Sequence, residues 1–240
     1  MTADSKQPMS IAGYSLVLPP GWVRIPLRSG SEDAVRHAAN QVFRGAAHDE
    51  IPRDELVKYR LKVEGKLREL AVRAADNGGV DLYLPTSLRG GVATPCSIVV
   101  SEMRLPGGEA VEVADMLRRL TEDAEFRPAD VDGSAGARSE RLRTTALDQG
   151  AEGAEGAEGA EAAKGAEKAK GAKGPKETER ARHVDYVLPV PGNSGRLLSI
   201  AFSTPGDGDP DGDFALLLVE LFDAIMTTFS WQPHDLAPSR

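Results

Sequence analysis

The densest run of chemically capable side chains is Asp207-Gly-Asp209-Pro-Asp211-Gly212-Asp213, followed by Phe214. Carboxylates at the first, third and fifth positions, a glycine at the sixth and an apolar residue at the eighth match the opening of a calcium loop. The twelfth position should supply a bidentate carboxylate, but it is Leu218, and Glu220 comes two residues late. A strand rather than a helix precedes the run. Calcium takes about six to eight oxygens, more than four carboxylates supply through one oxygen each. The stretch therefore reads as a helix start, with Asp209 as N-cap and Pro210 at the first helical position. Calcium held by Asp207, Asp209, Asp211 and Asp213 is the alternative.

His183 and Asp185 stand two apart, so they share one face of a strand and have the look of a catalytic His–Asp pair. No nucleophile accompanies them, and the apolar residues lie on the opposite face. Both are expected to look at solvent. A ligand-binding or enzymatic cleft beside them is the competing functional reading. His37, His48 and His234 have no partner at metal-binding spacing. Cys96, the single cysteine, rules out an intramolecular disulfide and a multi-cysteine zinc site. It shares a face with Ile98 and Val100 and reads as a small buried hydrophobe. GxGxxG and GKS/GKT strings are missing, and the Gly-Gly pairs at 78–79, 90–91 and 107–108 make no phosphate loop. No catalytic residue, cofactor or metal is assigned. Trp22 and Trp231, one near each end, are candidates for an interaction patch if both are exposed on one side.

The elements that must position these side chains are legible as periodic patterns. Period-two alternation marks strands at 11–18, 22–25, 80–84 and 96–103, and the segment RSERLRTTAL also reads as a strand. In HVDYVLPV, Val184, Tyr186, Leu188 and Val190 share a face; in LLSIAFS, Leu198, Ile200 and Phe202 do so, and PGNSG between them predicts a hairpin. Helices are expected from Ser31 to about Ala47, from Pro52 to a stop at Asn77-Gly78-Gly79, and over 109–123. The second carries a stripe of Leu56, Tyr59, Val63, Leu67, Leu70 and Ala74. The last helix carries Phe214, Leu217, Leu218, Leu221, Ile225 and Phe229 at three- and four-residue steps. Hairpins and helices in this order predict an α+β fold, an antiparallel sheet flanked by helices in an α/β/α sandwich.

Between the strand RLRTTAL and the strand HVDYVLPV lies GAEGAEGAEGAEAAKGAEKAKGAKGPK, with glycine recurring every third residue. Glutamates fill its first half and lysines its second. It has almost no apolar bulk with which to offset ordering entropy, so it is expected to be a flexible insertion in one folded unit. Proline is too scarce and the glycine period too broken for collagen. The expected organisation is a disordered 1–9, one domain made of 10–147 and 181–232, an insertion over 148–180, and a tail at 233–240. The remaining residues, about 210, suit a single domain.

The chain has 240 residues, is 40% hydrophobic and carries a net charge of −8. It shows no dense Lys/Arg patch interleaved with aromatics, which argues against nucleic acid as a partner. Neither a secretory signal nor an apolar run of about 18 residues is present, so no membrane insertion is expected. A cytoplasmic location is the default.

YSLVLPPGW at 14–22 and LFDAIMTTFSW at 221–231 together resemble the PsbP-like, or Mog-type, α/β/α sandwich proteins. VDYVLPVPGNSGRLLSIAFSTP is similar to the central hairpin of small actinobacterial members, including ones associated with type VII secretion. The resemblance covers roughly 11–26 and 183–231 and rests on structural turns and strands. It implies a non-catalytic, protein-binding adaptor or chaperone whose partner is another protein. Separately from the resemblance, homo-oligomerisation through the last helix is a further option. It supplies no catalytic residues. Secreted lipoprotein relatives of LpqN type carry an N-terminal lipobox cysteine, which this chain lacks.

Overall fold

The segments on either side of the glycine triplets both have strand character, and the one after them carries an apolar face of Val184, Tyr186, Leu188 and Val190. The computed structural model, which describes residues 11–45, 53–86, 88–89, 92–105, 125–146, 178–193 and 195–233, joins them in one sheet. The expected disordered start, the helix at 109–123, most of the insertion, the tail beyond Pro233, His48 and His234 lie outside the described residues.

In chain order the elements are β1 (Ile11–Ser15), β2 (Trp22–Pro26), α1 (Ser31–Gly45), α2 (Arg53–Asp76), β3 (Gly79–Pro85), β4 (Leu88–Arg89), β5 (Val92–Ala93) and β6 (Ser97–Arg104). They continue as β7 (Glu125–Val131), β8 (Ser134–Ala146), β9 (Thr178–Pro189), β10 (Arg196–Thr204), α3 (Asp213–Met226) and β11 (Ser230–Pro233). Seven strands form an antiparallel sheet in the order β2-β3-β6-β10-β9-β8-β7, while β1 pairs with β11 and β4 with β5. The class is α+β.

Register explains the layers. Ile200 stands opposite both Val100 and Tyr186, so one face gathers Ile98, Val100, Val184, Tyr186, Leu188, Leu198, Ile200 and Phe202. On this face α3 buries Leu218, Phe222, Ile225 and Met226, and Phe222 stacks on Phe202 with ring centroids 4.9 Å apart. The opposite face presents Val23, Ile25 and Leu82 to Val35, Ala38 and Ala71 of α1 and α2. Helices thus cover the sheet on both sides.

Several boundaries differ from the expectation for physical reasons. The strand begun at Ile11 ends at Ser15 and pairs with β11 outside the main sheet; Leu16 and Leu18 still pack against the core. The last helix stops at Met226, where Thr227 and Thr228 bond back to Ala224 and Ile225, so Phe229 is buried beyond the helix. Thr178–Arg180 belong to β9, so the insertion ends earlier than 180. β7 was not expected. Asp132 (φ 49°) and Gly133 (φ 73°) turn it into β8, the left-handed pair that two-residue hairpins favour. Tyr59 and Leu70, expected in the buried stripe of α2, are exposed at its flank.

One glycine in β8 is required by close approach rather than by φ. A Cβ on Gly136 would lie 2.4 Å from the Val187 carbonyl oxygen and 2.7 Å from Leu188 Cδ2. Gly136→Ala should therefore cost about 1–3 kcal/mol, read as a lowered urea midpoint; a midpoint equal to that of the unmodified protein would mean that β8 and β9 separate freely there.

Candidate functional site

Charged residues at inward-facing positions of a sheet need partners, because an isolated buried charge is costly. On the α3 side of the sheet, toward its β2 end, that rule has assembled a pocket of about 190 Å³. Its floor holds two carboxylates, Asp81 of β3 and Glu102 of β6. Asp81 is 1% exposed and accepts from Arg24 Nε at 2.7 Å and Arg24 Nη2 at 3.0 Å, a forked pair, and from the Tyr14 hydroxyl. Glu102 accepts from Arg28 Nη2 and Arg196 Nε, both at 2.7 Å.

The backbone explains how Asp81 comes to face inward. Pairing of β3 with β6 slips between Gly79 and Asp81, a bulge that re-aims the side chain. A Cβ on Gly79 would meet the Ala74 carbonyl at 2.5 Å, so the end of α2 presses on the bulge. Arg28, helped by Arg196, holds the Glu102 carboxyl below the usual carboxylate range. Burial, with Tyr83 and Asp81 beside it, raises the Tyr14 phenol, which stays protonated as a donor. Leu198, Val190 and Trp231 add apolar surface to the lining, Leu198 directly across from Glu102.

A second polar network ties α3 to the sheet. Arg138 is 7% exposed and donates to both Asp223 oxygens at 3.0 Å and to Glu140 at 2.9 Å; the Tyr186 hydroxyl donates to Asp223 at 2.9 Å. Arg182 donates to Glu140 at 2.6 Å, to Asp211 at 2.7 Å and to the Pro210 carbonyl at 2.7 Å. Burial alone would raise Glu140, but Arg182 and Arg138 draw it below the ordinary range.

That network decides the aspartate-rich loop. Asp211 is engaged by Arg180 and Arg182, and Asp209 Oδ1 accepts from the Asp211 backbone N–H at 3.0 Å. Asp209 makes this local turn instead of capping the helix. Gly212 occupies the cap position with no side-chain bond, and α3 begins at Asp213 rather than at Pro210. Among the described residues no three His, Cys, Asp or Glu side chains converge as a metal site, so Asp207, Asp209, Asp211 and Asp213 are not brought together.

His183 and Asp185 are half-buried rather than open to solvent. Asp185 pairs with Arg141 at 2.9 Å, while His183 Nε2 lies 3.5 Å from Ser203 Oγ; among the described residues no hydrogen bond joins the two. Burial raises the Asp185 carboxyl against the pull of Arg141. Burial, then Arg143 and Arg141, pushes His183 down to about 4, so its imidazole is neutral at pH 7. Cys96 is buried and its thiol is pushed up to about 12, so it stays protonated.

The two tryptophans do not form a surface patch. Trp231 is 8% exposed, with its indole N–H on Ser134 Oγ at 2.8 Å and its ring edge-on to Phe229. Trp22 is half-buried against the same core. The pocket arginines were missed in the sequence because each pairs with a carboxylate far along the chain. The signal available was an aspartate within the apolar run VDLYL.

No protein-family model matches the chain, and no curated protein or solved structure matches it either. No helix among the described residues is long and apolar enough to cross a membrane.

His183 supplies a pH test. Its folded value lies below the unfolded value of 6.5, so the unfolded chain binds the extra proton between pH 6.5 and about 4. Stability is full above that window and is lost as pH falls through it, with a slope of at most about 1.4 kcal/mol per unit. In His183→Gln, urea midpoints measured across the window should fall less steeply than in the unmodified protein.

Proposed function

We propose that this chain is a non-catalytic adaptor or chaperone that holds an acidic, apolar-faced polypeptide against α2. The observation that carries the reading is a second apolar flank on that helix. Val57, Leu61 and Val72 are 58%, 63% and 53% exposed, and with Gly65 and Arg68 they follow steps of four, four, three and four along one side. The core-facing side is a different set, including Ala71 and the half-buried Leu67. Among the described residues nothing covers this stripe, which makes it a packing surface open to a partner.

Charge points to the partner's chemistry. Along α2 seven basic residues, Arg53, Lys58, Arg60, Lys62, Lys66, Arg68 and Arg73, outnumber five acidic ones, Asp54, Glu55, Glu64, Glu69 and Asp76, although the chain as a whole is at −8. A basic, apolar helix on an acidic protein steers an acidic partner segment to this one place. At Gly65 a Cβ would meet nothing within 4 Å, so the partner's backbone has room to approach. The PsbP-like resemblance, with its secretion-associated branch, and a reducing cytoplasmic location belong to the same proposal. The single buried thiol suits that compartment.

The doubly substituted Leu61→Glu, Val72→Glu chain tests the reading. Both sites are exposed, so stability should change by no more than about 0.5 kcal/mol per site. A polypeptide that co-purifies with the unmodified chain from its source cells should be lost from the variant. Retention of the same partner by a folded variant would overturn the proposal, as would light scattering that gives a stable dimer mass for the unmodified chain and a monomer mass for the variant.

A further inference from the structure

The arginine-rimmed pocket has no part in the adaptor reading, and its composition exceeds what stability requires. Three arginines, Arg24, Arg28 and Arg196, line the pocket with two carboxylates, Asp81 and Glu102, which leaves one excess positive charge in the lining; Arg104, 3.9 Å from Glu102, is 83% exposed and lies outside it. The carboxylates are nearly buried, whereas the Arg24, Arg28 and Arg196 side chains are 60%, 63% and 36% exposed. The anions are therefore at the floor and the cations at the rim. Asp81 is satisfied by Nε and Nη2 of Arg24, and Glu102 by one nitrogen each from Arg28 and Arg196. Among the described residues no protein acceptor meets Nη1 of Arg24, Nε and Nη1 of Arg28, or the two terminal nitrogens of Arg196.

We propose that this pocket binds a small organic monoanion, a carboxylate carrying an apolar tail of a few carbons. The rim donors are planar guanidinium groups, suited to forked contact with a carboxylate. One excess positive charge is neutralised by one negative charge. A dianion such as phosphate would meet the floor carboxylates with a surplus of its own, and like charges at close range repel. Leu198, Val190 and Trp231 give the tail apolar surface beside the guanidinium groups. At about 190 Å³ the space is smaller than the roughly 300–1,000 Å³ of drug-sized sites, so a nucleotide or a folded peptide does not fit.

The test is calorimetric titration of the full chain with hexanoate, against hexan-1-ol, acetate and inorganic phosphate. Hexanoate should bind saturably, at least about tenfold more tightly than hexan-1-ol, which has the same tail without the charge. Acetate, with the charge but almost no tail, should also be weaker by about tenfold. Arg28→Gln should weaken hexanoate by about tenfold, and Arg28→Lys by less. The alcohol and acetate comparisons use the unmodified chain, so they decide the matter even if a variant misfolds. Absence of saturable hexanoate binding up to about 10 mM would overturn the proposal. Equal affinity for hexan-1-ol, tighter binding of phosphate, or undiminished binding by folded Arg28→Gln would do the same.

Discussion

The pairing of β8 with β9, from Ala137 opposite Val187 to Ala146 opposite Thr178, is the constraint on which the rest depends. It joins the two segments that the glycine triplets separate in sequence. It brings Arg138 and Glu140 beside Arg182 and Tyr186, and so makes the network that fastens α3. Through the β7–β8 hairpin it also places Asp132 and Ser134 where they receive the backbone and indole N–H groups of Trp231. Closing a loop as long as residues 147–177 costs about 3 kcal/mol even if every residue in it is free. A ladder of this length, with buried Val184 and Val187 in it, offsets that readily.

Electrostatics on the sheet follows one pattern in two places. A carboxylate is held by a guanidinium fork, and a second arginine–glutamate contact lies nearby: Arg24 on Asp81 beside Arg28 and Arg196 on Glu102, and Arg138 on Asp223 beside Arg182 on Glu140. The surroundings differ. Around Arg138 the guanidinium is buried and meets acceptors from two elements, so the group serves as a clamp. Around Arg28 and Arg196 the guanidinium groups stand at the mouth of a cavity with donors to spare. The same pairing chemistry is structural where it is enclosed and open to a ligand where it is not.

The sequence revealed the parts of the fold that have strong local periodicity. The β9–β10 hairpin was legible because Val184, Tyr186 and Leu188 alternate cleanly and a Pro-Gly turn follows. The helical period of α3 was legible from Phe214, Leu217, Leu218, Leu221 and Ile225, but its buried face is rotated from that stripe: Phe214 and Leu217 are exposed, and Phe222 joins Leu218 and Ile225 inside. β7 was hidden because EFRPADV mixes charge with a proline; at the sheet's edge Pro128 needs no partner for a missing N–H. β11 was hidden because four residues are too few to show a period. The pocket was illegible for a different reason. Arg24 meets Asp81 across 57 residues and Arg196 meets Glu102 across 94, and no local pattern encodes a contact at that range.

The short β1–β11 ribbon has one further consequence. Ile11 pairs with Pro233, so the first and last described residues emerge as neighbours, and the ribbon's hydrogen bonds lie in series from that point inward. Tension applied between the two ends would load those bonds one after another, as a zipper opens, rather than all together in shear. Mechanical opening would therefore begin at this ribbon, stripping Trp231 from Ser134, before the seven-stranded sheet bears any force.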